Sequence, residues 1–212
     1  MAVDIKSEAE RIFREARLRG IRLKFFGSVG IKFRCPTHAR STFDMDMVIR
    51  REDIGEFKAL LKDLGYKFGA SRRRRADMVF FKKTPFKVKI DVEVDGVKLF
   101  EEGYFIPLQE YLVKDDHPSL PSGILLVLKV LAPPDEDTAY DVICLLNEDP
   151  PVILEILEFL EKHPKIKEVV RRKIPLLVPA IQREPRKGRG EKFKALNFLK
   201  RLREALENPR SK

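Results

Sequence analysis

The chain of 212 residues is long enough for one large domain or two small ones, and 43% of its residues are hydrophobic, as in ordinary globular proteins. Its two cysteines, Cys35 and Cys144, are too few for a disulfide framework or a thiolate metal site, and no apolar run approaches the roughly 20 residues of a membrane-spanning helix, so we expect a cytoplasmic protein with no membrane partner. The net charge of +10 favours an anionic partner, and abundant Lys, Arg and Glu beside few Asn and Gln are typical of proteins from hot environments.

The first half of the chain predicts both helices and strands. Apolar spacing and glycine positions predict, in order, a helix up to Gly20, a strand Ile21–Phe26, a turn at Gly27-Ser28, a strand Phe43–Ile49, a helix carrying Phe57, Leu60, Leu61 and Leu64, a strand Asp77–Lys82 and a strand Phe86–Val94. Residues 29–43 between them carry no clear pattern. Asp95 and Gly96 form a dipeptide typical of a two-residue hairpin turn, which predicts that residues 97–100 pair with the preceding strand.

Asp44 and Asp46 are the most informative pair in this half. Because strand side chains alternate, the two carboxylates share a face, with their Cα atoms about 6.6 Å apart. Two like charges side by side on a strand are unfavourable unless a cation lies between them, and Mg²⁺ (or Mn²⁺) prefers such oxygen ligands. The solvent-facing side of an edge strand is the simpler interpretation, but the neighbouring Met45 and Met47 indicate a buried strand and favour metal ligands.

Two further features can belong to the same site. Gly27 would let a phosphate approach the backbone closely, and Ser28 would donate a hydrogen bond to it. On the polar face of the strand Phe86–Val94, Asp91 or Glu93 could be a third carboxylate, or both could face solvent. Three carboxylates around two divalent ions are the usual equipment for phosphoryl or nucleotidyl transfer.

Beyond Pro107 the chain is predicted to be helical. Proline and acidic start signals and apolar spacing predict helices over residues 121–131, 135–146, 152–162, 165–173, 176–181 and 191–206, with a mobile basic linker at 184–190. The expected architecture is therefore α+β, with a mixed-sheet core over residues 1–116 and a helical, basic C-terminal domain over residues 117–212.

The positive charge is concentrated at the C-terminal end of the sequence. Residues 162–212 hold 17 Lys and Arg against 5 Asp and Glu, whereas residues 1–161 hold 26 against 28. An excess of this size favours nucleic acid, and RNA is the partner that we expect for the C-terminal segment. The run Arg72–Arg75 has two interpretations, a solvated loop or a contact with phosphate backbone that reads no sequence.

Several short motifs carry a resemblance to a known family. They are Gly27-Ser28, the run Arg40-x-Thr42-x-Asp44-x-Asp46, and the strand Ile90-Asp91-Val92. Together they resemble the nucleotidyltransferases of the DNA polymerase β superfamily, and more narrowly the abortive-infection toxin branch, in which a later helix carries an apolar run, a lysine and downstream aspartates. Lys129 and Asp141 match that helical motif in part. The branch usually has an arginine and a lysine between these two positions, where residues 133–138 here contain acids.

The resemblance implies a fold and a reaction. It implies a mixed-sheet nucleotidyltransferase core and metal-dependent transfer of a nucleotide from an NTP to a hydroxyl, with an RNA end as the acceptor that the basic segment suggests and a protein hydroxyl as another. The catalytic residues and metal ligands would be Asp44, Asp46 and Asp91, and the substrate-binding residues would be Gly27, Ser28, Arg40, Thr42 and Lys129. Lys129 could equally extend to solvent from its apolar helix, and Asp141 is expected on a helix surface.

Two other classes of function stay open at this point. One is a catalytically degenerate nucleic-acid-binding protein on the same fold, since the expected cations between Lys129 and Asp141 are missing. The other is an antitoxin-like protein that acts by pairing with a partner chain.

Overall fold

A computed structural model describes residues 4–69, 76–82, 87–99, 103–113 and 116–208. Its helices are α1 (Ile5–Leu18), α2 (Gly27–Arg34), α3 (Ile54–Asp63), α4 (Ser122–Leu131), α5 (Glu136–Glu148), α6 (Ile153–Glu161), α7 (Pro164–Arg183) and α8 (Arg189–Glu207). Its strands are β1 (Leu23–Phe26), β2 (Asp44–Ile49), β3 (Lys67–Gly69), β4 (Met78–Lys82), β5 (Val88–Val94), β6 (Gly96–Leu99) and β7 (Tyr104–Pro107). The expected α+β architecture with a helical C-terminal part is confirmed.

Five of the strands form one mixed sheet in the order β1-β2-β5-β4-β3. The central strands β2 and β5 are parallel, whereas β1 pairs with β2, β4 with β5 and β3 with β4 in antiparallel fashion. The apolar residues predicted to share a face of β5 are all buried, and they join one core cluster with residues of α1 and α3, among them Ile12, Ala16, Phe57, Leu60, Met45, Met47, Ile90 and Val92. Because strand side chains alternate, the residues between them face the opposite side of the sheet.

The predicted hairpin at Asp95 and Gly96 was wrong. β6 does not continue beside β5 but pairs antiparallel with β7 in a separate two-stranded sheet. Asp95 has a φ of 63°, and its carboxylate accepts hydrogen bonds from the backbone and side chain of Arg51. A side chain at Gly96 would meet the carbonyl oxygen of Ile106 at 2.1 Å. The two residues therefore turn the chain out of the large sheet and not back along it.

The chain divides into two compact units. The first is Met1–Phe33 with Ala39–Leu120, and the second is Arg34–His38 with Pro121–Lys212. The division falls between Leu120 and Pro121, whereas the sequence-based boundary was placed between residues 116 and 117, and the short segment Arg34–His38 groups with the helices. Within the described residues, no helix combines the length and apolarity needed to span a bilayer.

The second unit is a bundle of helices in which α7 is longer than predicted. Two helices separated at the prolines were expected, but a single helix of 20 residues runs through Pro175 and Pro179. Each proline removes a backbone hydrogen bond and normally costs a helix about 3 kcal/mol. An apolar face along the whole helix offsets that cost, with Ile166, Val169, Val170, Ile174, Leu177, Ala180 and Ile181 buried.

The segment between α7 and α8 is a packed corner, and the expectation of a mobile linker was wrong. Glu184 is fully buried and accepts hydrogen bonds from the backbone N of Arg186 at 2.9 Å and from its Nε at 2.7 Å. The hydrogen bond from the Arg186 side chain is the main cause that lowers the pKa of Glu184. The same guanidinium lies 4.6 Å from the ring centroid of Tyr140, so this corner is held to α5.

Candidate active site

The three predicted catalytic aspartates lie on one face of the large sheet. Asp46 on β2 is in register with Asp91 on the parallel strand β5, and Asp44 lies two residues before Asp46. Neighbouring strands are about 4.8 Å apart, so the Cα atoms of Asp46 and Asp91 are close neighbours. Asp44 is exposed and the other two are half-buried, whereas Met45 and Ile90 on the opposite face are fully buried in the core.

Gly27 lies directly against the carboxylate of Asp46. Phe26, the residue before it, is in register with Asp46 across the β1–β2 pair. A Cβ atom at position 27 would lie 2.2 Å from Oδ2 of Asp46, and Gly27 has a φ of +60°. Both the space and the backbone conformation therefore require glycine here. The bend predicted from the sequence is beside the acids, as a shared site requires.

The chain after this bend is helical, which the sequence did not reveal. The region 29–43 carried no clear pattern, but α2 begins at Gly27 itself and continues to Arg34. Ser28 thus lies in the first turn of a helix, where backbone N–H groups have no partner within the helix and favour an anion. The hydroxyl of Ser28 accepts a hydrogen bond from the guanidinium of Arg40, so two predicted substrate-binding residues are in contact.

Thr42 is tied to the start of β2. The backbone N of Asp44 donates to the Thr42 hydroxyl oxygen at 3.4 Å, and that hydroxyl donates to the carbonyl of Asp44 at 3.3 Å. Thr42 therefore shapes the backbone that carries the first aspartate.

Lys89 is a member of this face that the sequence analysis did not single out. It is in register with Asp44, and its ammonium forms an ion pair with the carboxylate of Asp91 two residues along the same strand. The signal was present in the alternation of β5, in which Lys89, Asp91 and Glu93 share the polar face, but an isolated lysine in such a pattern usually faces solvent.

Glu93 is the buried end of the same row. Its side chain is almost fully buried at 4% exposure, and among the described residues its Oε2 has no hydrogen-bond partner. Burial, followed by the negative charge of Asp77, raises the pKa of Glu93 to about 8. Glu93 is therefore protonated over much of the neutral range, unlike an ordinary glutamate.

Lys129 and Asp141 belong to the second unit and contact each other there. Lys129 Nζ lies 2.6 Å from Oδ2 of Asp141, and the other oxygen of that carboxylate lies 2.6 Å from Nε2 of His38. The expectation that Asp141 is on a helix surface was wrong, since its side chain and that of His38 are completely buried. The Lys129 side chain is 14% exposed, and its ammonium is paired with Asp141.

The described residues contain no preformed metal-binding site. No three His, Cys, Asp or Glu side chains in that part of the chain are grouped so that they could hold an ion as they stand. The acids of the sheet share a face, but Asp91 is engaged by Lys89. The run Arg72–Arg75, the other predicted anion contact, lies outside the described residues.

Comparison with solved structures identifies the fold of the chain. An antigenic nucleotidyltransferase-like protein from Paracoccidioides brasiliensis matches with a TM-score of 0.50 and 10% identity, over 80% of this chain and 93% of that one. The chain has a nucleotidyltransferase-like fold. No protein-family model matches the sequence, and a search of curated proteins found no match.

Two matches to the antibiotic-resistance factor ANT(2'')-Ia are weaker in structural terms. The solution structure of that protein gives a TM-score of 0.43 at 13% identity over 96% of this chain and 95% of the other, and its complex with adenylyl-2''-tobramycin gives 0.43 at 14% over 92% and 97%. With TM-scores below 0.5, they add nothing to the assignment of the nucleotidyltransferase-like fold.

Proposed function

We propose that this protein is a metal-dependent nucleotidyltransferase that moves a nucleoside monophosphate from an NTP to a hydroxyl acceptor and releases pyrophosphate. The observation that supports this most is the meeting of Asp46 with Asp91 in register and with Gly27 at its carboxylate. Acids that are far apart in sequence converge beside a backbone bend that only glycine can form. That combination is what in-line transfer between a phosphate and a hydroxyl needs.

Asp44, Asp46 and Asp91 are the residues that would hold Mg²⁺ or Mn²⁺. All three present carboxylate oxygens, the ligands that these hard cations prefer, on the face of the sheet away from the core. When bound, such ions neutralise the charge that develops on the phosphates and make the acceptor hydroxyl a better nucleophile. The aspartates themselves fix where the two substrates meet.

The triphosphate would bind at the start of α2. Gly27 brings the carboxylate of Asp46 against the start of the helix, and the first N–H groups of a helix favour an anion such as a phosphate. Arg40 adds a guanidinium through its contact with Ser28, so a positive charge and a hydroxyl lie next to each other. Both groups can donate to phosphate oxygens, and guanidinium–phosphate hydrogen bonds are among the stronger ones in proteins.

An RNA end is the acceptor class that we propose for this site, because the positive charge of the chain lies in the C-terminal region. Some of these cations form ion pairs with acidic residues of the same unit, as Lys167 does with Glu161 and Arg171 with Glu168. Other cations of α8 are exposed at the surface of the second unit, among them Arg189, Lys194 and Arg201. Such cations contact phosphates without reading sequence.

The toxin-type branch is the finer assignment that we propose. Its helical motif has two positions in this chain, Lys129 on α4 and Asp141 on α5, and their side chains are 2.6 Å apart. The contact supports the view that these two positions act as one motif within the second unit.

The direct test is incubation of the purified protein with each labelled NTP, Mg²⁺ or Mn²⁺, and either total RNA or total cell protein. Label should enter RNA, in a reaction that requires the divalent ion. Label in protein would keep the transferase and change the acceptor, whereas no incorporation with any NTP, ion or acceptor would reject the proposed reaction.

The alternative is a catalytically degenerate nucleic-acid-binding protein on the same fold. It is favoured by the ion pair between Lys89 and Asp91 and by the lack of a preformed three-ligand group in the described residues. RNA binding that is unchanged by Asp44→Asn and independent of divalent ions would support it. An antitoxin-like role would instead show itself by a second protein that co-purifies in fixed proportion.

A further inference from the structure

The side chain of Lys89 lies among the acids of the candidate site. Its strand register places it opposite Asp44, and its ammonium pairs with Asp91. Its side chain is 34% exposed and that of Asp91 is 19% exposed, so the pair lies at the boundary between the sheet and solvent. A positive charge thus already lies where the proposed function requires a divalent ion to bind.

A divalent ion bound to Asp91 would compete with the Lys89 ammonium for the same carboxylate. The carboxylates of this face repel one another, and Lys89 neutralises one of them, Asp91, in this structure. A divalent ion on Asp91 would repel the ammonium strongly at this range, because the interaction of nearby charges is large where solvent is partly excluded. The flexible four-carbon stem of a lysine allows its ammonium to move while its backbone stays in the strand.

We propose that Lys89 is a stand-in cation: it neutralises Asp91 when no metal is bound, and on metal binding its ammonium leaves Asp91 and binds the triphosphate of the incoming nucleotide. This inference rests on the proposed function. It makes Lys89 a substrate-binding residue that also lowers the affinity of the empty site for metal. The exchange would couple the two binding events, since metal releases the lysine that the triphosphate needs.

The test measures metal and triphosphate binding separately, with Lys89→Met, Lys89→Arg and the unchanged protein. Mn²⁺ binding is followed by the loss of the electron paramagnetic resonance signal of the free ion, and inorganic tripolyphosphate is then titrated at saturating Mn²⁺ by calorimetry. Lys98→Met is the matched control, since it removes a lysine from another carboxylate pair, with Asp77, outside this row of acids.

The proposal predicts opposite effects on the two ligands. Lys89→Met should bind Mn²⁺ about tenfold more tightly and tripolyphosphate about tenfold more weakly, whereas Lys89→Arg and Lys98→Met should stay near the unchanged protein for both.

An Mn²⁺ affinity that Lys89→Met leaves unchanged would overturn the stand-in role while leaving the proposed metal site intact. Unchanged or tighter tripolyphosphate binding by that variant would overturn the transfer of the lysine to the phosphates. Failure of every variant to bind Mn²⁺ would overturn this proposal and the proposed function together.

Discussion

At the scale of single residues, Gly27 is the position that the structure constrains most tightly. Gly27→Ala places a methyl group 2.2 Å from a carboxylate oxygen of Asp46 and forces alanine into a positive φ. We expect a loss of at least about 1 kcal/mol in the free energy of unfolding, together with loss of transfer activity because Asp46 must move. Urea denaturation and the transfer assay measure the two effects.

Gly55 supplies the control for that substitution. It lies in the first turn of α3 with no atom within 4 Å of an added Cβ, and its φ is not positive. Gly55→Ala should stabilise the protein by about 0.5 to 1 kcal/mol and leave activity unchanged. Equal effects of the two substitutions would contradict the close approach at Gly27.

The raised pKa of Glu93 predicts that the free energy of unfolding depends on pH. Its pKa is about 8 in the folded protein and near 4.5 when unfolded, so the folded state holds the extra proton between these values. The stabilising contribution is complete at low pH and falls as pH rises from about 4.5 to 8, by up to about 1.4 kcal/mol per pH unit. Glu93→Gln should remove this fall, so the variant gains stability relative to the original protein as pH rises.

The measurement is urea denaturation of both proteins at pH 5, 6, 7 and 8. Glu56→Gln, at an exposed position of α3, controls for the loss of a carboxyl group and should follow the original protein at each pH. Parallel curves for the original protein and Glu93→Gln would show that this carboxyl does not titrate in the predicted range.

At the scale of elements, the central strands were predictable because their pattern is local. Strict alternation in β5 fixed which residues share a face, and the acids of β2 flanked by methionines indicated a strand with one buried side. The local alternation of residues does not specify the register between β2 and β5. That Asp46 lies opposite Asp91, and Asp44 opposite Lys89, is decided by pairing between distant segments.

The errors also occurred where distant contacts override a local signal. Asp95-Gly96 is a strong hairpin dipeptide, but the strand after it pairs with β7, so the dipeptide makes a different turn. Helix α2 was missed because its glycines lower helix propensity, while Val29 and Ile31 are buried by tertiary packing. The contacts of Arg186 with Asp137 and Tyr140 join its segment to α5, and a local pattern cannot show them because Asp137 is 49 positions away.

The contacts of Asp141 predict that its loss lowers the stability of the second unit. Its buried carboxylate binds both Lys129 on α4 and His38 in the segment Arg34–His38. Asp141→Asn would leave the Lys129 ammonium without its carboxylate, and breaking a buried pair in this way typically costs about 3 to 5 kcal/mol. Thermal and urea denaturation should show a loss of this size.

Asp137→Asn is the matched control on the same helix. Asp137 is 56% exposed and pairs with Arg186 at 3.2 Å, so its loss should cost less than about 1 kcal/mol. Similar costs at the two positions would mean that the Asp141 pair does not act as a buried one.

At the scale of the whole molecule, the concentration of positive charge in residues 162–212 gives a test of the proposed RNA contact. Truncation of the basic end is a poor test, because α8 buries Ala195, Leu199, Leu202 and Leu206 and its removal would expose the core of the second unit. Charge removal at the surface is cleaner. The triple variant Arg189→Gln, Lys194→Gln, Arg201→Gln should weaken RNA binding and reduce the slope of log affinity against log salt by up to about 2.

The control removes three exposed cations from the first unit, as Arg14→Gln, Lys58→Gln, Lys62→Gln. Filter binding of a single-stranded RNA across a range of salt concentrations gives the slope for each protein. If the two triple variants lose the same affinity and slope, the C-terminal cations are not the specific contact and general attraction between charges explains the binding.

In the proposed reaction, Asp44, Asp46 and Asp91 act together in nucleotide transfer. The most direct measurement is the rate of label transfer from NTP to acceptor by Asp44→Asn, Asp46→Asn and Asp91→Asn, with Asp63→Asn, an exposed partner of Arg19, as the control. Each site variant should keep its fold and lose transfer by about a thousandfold or more, while Asp63→Asn should keep the original rate. Full activity in the Asp44 and Asp46 variants would contradict the proposed reaction.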